Sequence, residues 1–310
     1  MKFSGVIPIL ATPFTEDEGV DLASLAKMIQ FIETSGVDGI TVSGLLGESN
    51  RLTDSEKESL IATAVEATEA RLPVIATVSH TGTQGTIATA KMAENAGASA
   101  IMVAPIKLPA PNEQALFDYV KRVADNTDLP IVLQDHPQIT AVNMSTDLIL
   151  RMVAEIPSIK CLKAEALPSP QRIALLKSGF GDRDITMLTG LGALYGIYDL
   201  ESGSSGFNTG FAFPEILRAI VDQFDAGNRD AAWAIYHRYL PLIVFEQQPG
   251  TAIRKEILRQ RGLIASNHLR LPAKPISASA KQQLDALLKR CFGDADLTQL
   301  LEVNSAAVDF

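Results

Sequence analysis

Cysteine is scarce in this chain of 310 residues. The two present, Cys161 and Cys291, are too few for a disulfide framework and have no metal-ligand spacing, so reduced thiols in a cytoplasmic protein are expected. Histidine is equally sparse: His80, His136, His237 and His268 form no ligand pattern, and no metal is expected. Basic residues are outnumbered, 27 Lys and Arg against 36 Asp and Glu. The net charge of -9 and pI near 5.0, with no Lys/Arg-rich block to offset them, speak against a nucleic-acid partner. No apolar run reaches bilayer-spanning length, and Pro8 and Pro13 break the N-terminal apolar stretch, which makes a poor signal peptide. A membrane partner is therefore not expected. Solenoid-period repeats, low-complexity tracts and a G-x-G-x-x-G after the first strand are all missing, and the last of these absences argues against an open dinucleotide-binding sheet.

What is present is an alternation. With 46% hydrophobic residues the chain can bury a large core. Strands are predicted over 5–12, 39–43, 73–79, 100–104, 130–134, 158–165, 185–189 and about 203–208. Between them lie helical patterns opened by Asp21, Thr53 with Glu56 as a capping box, Asn112 and Ser145, one of them closed by Gly97, and Pro214 opens the helix after the eighth strand. Eight strands alternating with eight helices predict an α/β fold, a (β/α)₈ TIM barrel, over 1–227. After Asn228 only helical patterns remain, over 231–245, 251–261 and 277–288 with a short final one, read as a C-terminal helical appendage at 228–310.

In such barrels function collects at the C-terminal ends of the strands. Those ends supply Gly44, Leu45 and Leu46 with Ser43, then His80, Gln134 with Asp135, Lys163 with Glu165, Gly190, and 204–208. Strand alternation puts Ile159, Cys161 and Lys163 on one face and Lys160 and Leu162 on the other. A lysine inside an apolar run is paired or used. Burial among apolar groups lowers a lysine toward roughly pH 7–8, giving a neutral amine able to condense with a ketone. The competing interpretation is an ion pair between Lys163 and Glu165. His80 is a proton relay, a carboxylate ligand or a surface histidine; Gln134 and Asp135 are site residues or part of a turn. The run Gly203-Ser204-Ser205-Gly206 is a phosphate cradle or a tight turn beside a ligand.

With those residues placed, the chain resembles the dihydrodipicolinate synthase and N-acetylneuraminate lyase superfamily. The likeness rests on Gly5 to Phe14 (GVIPILATPF), on Gly44-Leu45-Leu46-Gly47-Glu48 in the place of the carboxylate-binding G-[ST]-T-G-E, and on Lys163 in the place of the Schiff-base lysine. The resemblance implies a homo-oligomeric barrel, a dimer or tetramer, in which Lys163 forms an imine with a 2-oxo acid and no other cofactor takes part. The chain also departs from the family. Leu45 and Leu46 replace hydroxyl residues, leaving backbone N–H groups and Ser43 for the anion. Gln134 stands where the family has a proton-shuttling tyrosine, Ile139 where it has an arginine, and Ile106-Lys107 replace an aromatic pair.

The strings Thr77-Val78-Ser79-His80, Val132-Leu133-Gln134-Asp135, Lys163-Ala164-Glu165, Gly206-Phe207-Asn208-Thr209-Gly210, Leu240-Pro241-Leu242-Ile243 and 262–266 are similar to the 2-keto-3-deoxy sugar acid dehydratases. That branch implies catalytic roles for Lys163, Gln134, Glu165 and His80, the base being Glu165, His80 or a water near Gln134. Substrate contacts are expected from Ser43, Gly44, Leu45, Leu46, Gly190, Ser205, Phe207 and Asn208. A pyruvate-releasing aldolase and 4-hydroxy-tetrahydrodipicolinate synthase are the alternatives within the family. A non-catalytic 2-oxo acid sensor is the alternative outside it.

Overall fold

A computed structural model of the protein describes residues 2–105, 107, 112–248 and 250–303; Ile106 lies outside them. Eight parallel strands form one sheet: β1 (Gly5–Val6), β2 (Ile40–Val42), β3 (Val74–Thr77), β4 (Ala100–Val103), β5 (Ile131–Asp135), β6 (Ile159–Ala164), β7 (Thr186–Thr189) and β8 (Gly206–Phe207). Their order is β1-β8-β7-β6-β5-β4-β3-β2, and a parallel bridge between Ile9 and Thr41 joins the two ends. The result is a (β/α)₈ TIM barrel. β1 is much shorter than the predicted 5–12. Pro8 has no N–H to give to the ladder. The chain stays extended through Ile9, whose N–H donates to Thr209 O at 3.0 Å, and Leu10, whose N–H donates to Thr41 O at 2.9 Å.

The helices follow the apolar periodicity. α1 (Leu22–Glu33) starts at Asp21, whose carboxylate accepts from Ser24 N, and α2 (Asp54–Thr68) carries the Thr53/Glu56 capping box. α3 (Thr83–Asn95) ends before Gly97, which takes φ +87°, and α4 (Glu113–Ala124) is capped by Asn112. A short α5 (Pro137–Thr140), not predicted, precedes α6 (Thr146–Glu155). α7 (Ser169–Phe180), α8 (Gly196–Glu201) and α9 (Pro214–Asp225) complete the ring.

The barrel interior is filled by Phe3, Ile7, Ile75, Ala100, Met102, Val132, Cys161 and Leu188. A larger apolar layer lies between sheet and helices and includes Ile159, Leu162 and Ala164. Ile159 therefore does not share the inward face of Cys161 and Lys163 as strand alternation predicts. The register explains it: Ile131 pairs with Ile159 but Val132 with Cys161, so Lys160 is an extra residue that resets the alternation.

α10 (Arg229–Glu246), α11 (Thr251–Gln260) and α12 (Ala278–Phe292) pack on the barrel, and their apolar residues belong to the same outer core. Arg261 joins them through a buried ion pair to Glu215 at 2.5 Å and lies over the Phe213 ring. The short final helix expected after α12 does not form over 293–303. Between α11 and α12 the chain straps the loops that follow β1 and β2. Ser266 Oγ donates to Glu16 at 2.5 Å, and Arg270 donates to Arg51 O at 2.8 Å.

Candidate active site

Lys163 sits one residue from the end of β6, 2% exposed. Its surroundings combine the apolar groups that the sequence predicts with polar partners at the amine itself. The ammonium lies 3.1 Å from Glu165 Oε2, so the ion pair set against the nucleophile is present in the structure. The same oxygen accepts from Gln134 Nε2 at 2.8 Å and lies 3.4 Å from His136 Nδ1; the other carboxylate oxygen accepts from Leu191 N at 3.0 Å. Burial alone would raise the Glu165 carboxyl, but Lys163, His136 and these donors outweigh it and hold it below the ordinary carboxylate range. Glu165 is thus an ionised carboxylate with Lys163, Gln134 and His136 gathered at one oxygen.

Neighbouring backbone puts it there. Strand register sets Gln134 opposite Lys163 and Asp135 opposite Ala164, and Glu165 N donates to Asp135 O at 2.9 Å, so His136 falls beside Glu165. Asp135 points the other way, to Arg172 at 2.8 Å. Gly190, at the end of β7, lets the carboxylate lie against the backbone: a Cβ there would be 2.1 Å from Glu165 Oε1. Leu191 and Ala193, flanking Gly192, take φ +49° and +67°, a strained run whose first N–H is the one bound to Glu165.

Above the amine is a narrow throat of about 20 Å³, room for roughly one water. It is lined by Gly44, Leu45, Leu46, Ile9, Met102, Gln134, His136, Ile139, Lys163 and Glu165. Beyond it opens a vestibule of about 480 Å³ that includes Ser49, Lys57, Thr77, His80 and Lys107, with Leu45, Gln134 and Ile139 shared as the partition. The Leu45–Gly47 turn is entered through Ser43 and left through Glu48, both in the left-handed region, at φ 57° and 61°. It is held from behind. Glu48, fully buried, pairs with Lys255 of α11 at 2.5 Å and with Arg51 at 2.7 Å. Burial pushes Lys255 down to about 8, against the pull of Glu48. As the first residues of this turn, Leu45 and Leu46 have N–H groups without acceptors among the described residues.

The structure therefore brings together Lys163, Glu165, Gln134, Gly190, Gly44, Leu45 and Leu46. His80 lies apart in the vestibule wall, near Thr81. Ser43 is buried and its hydroxyl has no partner among the described residues. Asn208 is buried at the barrel seam, where its amide donates to Ile7 O at 2.7 Å and Thr41 Oγ1 at 2.9 Å.

Two expected contacts are corrected. Phe207 points outward against Gly196 of α8, because it alternates with the inward Asn208. Ser205 precedes β8, which starts only at Gly206, and so sits at the end of the barrel away from the mouth; the whole 203–206 run goes with it. His136 is the site residue that the sequence did not single out. No group of three or more His, Cys, Asp or Glu side chains able to hold a metal occurs among the described residues.

Residues 2–291 match the model of the Dihydrodipicolinate synthetase family. L-2-keto-3-deoxyarabonate dehydratase of Azospirillum brasilense is 31% identical over 296 residues, covering 93% of this chain and 94% of its own. 4-Hydroxy-tetrahydrodipicolinate synthase 1 of Halalkalibacterium halodurans is 30% identical, covering 94% and 98%. Among solved structures, dihydrodipicolinate synthase from Rhodopseudomonas palustris superposes with a TM-score of 0.88 at 31% identity, over 93% of this chain and 97% of that one. A prophage protein of the same family from E. coli K12, solved with pyruvate, gives 0.87 at 25% identity, over 94% and 99%. A chain matched along this length, by the family model and by relatives at this identity, belongs to the dihydrodipicolinate synthetase family.

Proposed function

We propose that this protein is a Schiff-base lyase that dehydrates a 2-keto-3-deoxy sugar acid. The observation that carries the reading is the buried pair of Lys163 and Glu165, 3.1 Å apart at the floor of a throat with apolar walls. A proton passing from the ammonium to that carboxylate leaves a neutral amine, which adds to the substrate's keto carbon and loses water to give the imine. The substrate carboxylate is taken by the Leu45 and Leu46 N–H groups and the Ser43 hydroxyl, because among the described residues no side-chain cation lines the throat except Lys163 itself.

The iminium acidifies C3. Glu165 is the base that removes its proton, and the hydroxyl on C4 then leaves. His80 lines only the outer vestibule, which favours Glu165 among the bases considered. Gln134 cannot ionise, and its amide fixes the Glu165 carboxylate. Ile139 in place of a gripping arginine argues against the synthase reaction; the name of the A. brasilense relative agrees with dehydration. Leu45, Leu46 and the half-exposed Ile139 must turn aside to admit the substrate, since the throat holds only about one water.

The test is borohydride reduction with a panel of 2-oxo acids, followed by intact mass and peptide mapping, alongside product identification. A Lys163 adduct and a dehydrated acid are expected, and Lys163→Ala abolishes both. Pyruvate plus an aldehyde as products points instead to the aldolase. Trapping on another side chain, or turnover by the alanine variant, refutes the imine.

A further inference from the structure

Dehydration takes one proton from C3 and must deliver one to the departing oxygen, since hydroxide is a poor leaving group. The titratable side chains lining the throat are Lys163, Glu165 and His136. In the proposed reaction Lys163 nitrogen is bonded to C2, and Glu165 has just accepted the C3 proton. Gln134 has no acidic form. Asp135 is turned away to Arg172. Among the described residues that line the throat, His136 is left.

Its placement suits a relay. Nδ1 lies 3.4 Å from Glu165 Oε2, the oxygen that also faces Lys163. The ring makes no hydrogen bond among the described residues, whereas the backbone is pinned: the His136 carbonyl accepts from Ile139 N at 3.1 Å and Thr140 N at 3.0 Å. Burial, with the Lys163 charge, holds the imidazole below its ordinary value against the pull of Glu165, which keeps it neutral. A neutral imidazole can accept at one nitrogen while donating from the other.

We propose that His136 is a catalytic residue that carries the proton from Glu165 to the leaving hydroxyl; this rests on the imine reading above. The C3–H bond breaks, its proton goes to Glu165 Oε2, and its electron pair forms the enamine. The enamine pair then expels the C4 oxygen as the C–O bond breaks. Nε2–H protonates that oxygen while Nδ1 takes the proton from Glu165. Water leaves, Glu165 is again a carboxylate, and the imidazole ends as the other tautomer, which solvent exchange resets. Hydrolysis of the unsaturated imine frees Lys163.

Pyruvate separates the two halves of this sequence, since it has C3 protons but no C4 hydroxyl. In D₂O, deuteration of its methyl group reports imine formation and the base alone. With His136→Gln, dehydration of a 2-keto-3-deoxy-pentonate is expected to fall by at least roughly 10²-fold while pyruvate deuteration stays within about threefold of wild type. Retained deuteration also shows that the site is folded; His136→Asn serves as a second variant. Dehydration within about threefold of wild type in either variant overturns the relay, and so does an equal fall of both rates in both variants. A wild-type protein that neither deuterates pyruvate nor forms the Lys163 adduct refutes the imine reading, and the relay with it.

Discussion

Gly190→Ala tests whether Glu165 works from the position the structure gives it. The new Cβ would lie 2.1 Å from Glu165 Oε1, 2.4 Å from the carboxyl carbon and 2.5 Å from Cγ. Non-bonded atoms settle near 3.5 Å, so one side must yield by roughly 1 Å. The Gly190 backbone is tied to the strained 191–193 turn, so the side chain yields first. Glu165 then loses the Leu191 N–H bond at 3.0 Å and is carried away from its place 3.1 Å from Lys163. Hydrogen bonds to charged groups contribute about 1.5–3 kcal/mol each, so a stability loss of roughly that size is expected in urea melts. Misplacing a reacting group by about 1 Å costs roughly 10²-fold in rate, which sets the expected fall in pyruvate deuteration followed by proton NMR. Lys163 itself is not displaced, and borohydride with saturating pyruvate still traps it. Deuteration within about threefold of wild type, with the melt shifted as expected, refutes Glu165 as the base.

Lys255→Met leaves Glu48 buried with only Arg51 as a cation among the described residues; breaking such a pair costs about 3–5 kcal/mol, and more than half should return in a Lys255→Met/Glu48→Gln double variant, measured by denaturant melts. The same single variant should raise KM for 2-oxo acids more than it lowers kcat, because Glu48 anchors the turn that presents the Leu45 and Leu46 N–H groups. Asp199, buried against Thr189, is pushed by desolvation from the ordinary aspartate range up to about 6. Its penalty is absent below the unfolded value and full above the folded one, so stability falls as pH rises between about 4 and 6, by about 3 kcal/mol. Asp199→Asn should therefore stabilise the protein at pH 8 and make no difference near pH 3, as read from paired melts. Cys161 is fully buried and its thiol pushed up to about 12, so iodoacetamide should label it only after unfolding, by mass spectrometry.

Much of the barrel is legible residue by residue. Asp21, Thr53 with Glu56, Ser145 and Pro214 mark helix starts because their chemistry is local: a side-chain oxygen or a missing N–H acts within three residues of itself. The misses arise where a neighbour decides. Pro8 is visible in the sequence, yet how early it ends the β1 ladder depends on β8 supplying the facing groups. The sequence puts Ser205 at the mouth because 203–208 has the composition of a strand, whereas the register with β1 begins at Gly206 and Ser205 only accepts from Gly5 N at the entry to the ladder. The appendage helices were visible from their periodicity. The buried Glu215 to Arg261 pair that fastens them was not, since it spans 46 residues.

For the site, the decisive quantity is the offset between adjacent strands. Alternation within β6 points Lys163 inward, and that outcome holds although the alternation itself is broken at Lys160. An inserted residue shifts everything on one side of it; Ile159 is moved outward while Lys163, beyond the insertion, keeps its direction. Where Lys163 stands relative to β5 is another matter. The offset that sets Gln134 against Lys163 also sets His136 against Glu165, two positions further along both strands, and so determines which side chains share the Glu165 oxygen. Neither strand alone contains that offset: moving β5 by one residue would put Asp135 against Lys163 and exchange an amide for a second carboxylate. The Gln-Asp-His-Pro and Lys-Ala-Glu strings form the proposed proton-transfer unit only in combination, and the hydrogen bond from Glu165 N to Asp135 O is a contact that fixes them in that combination.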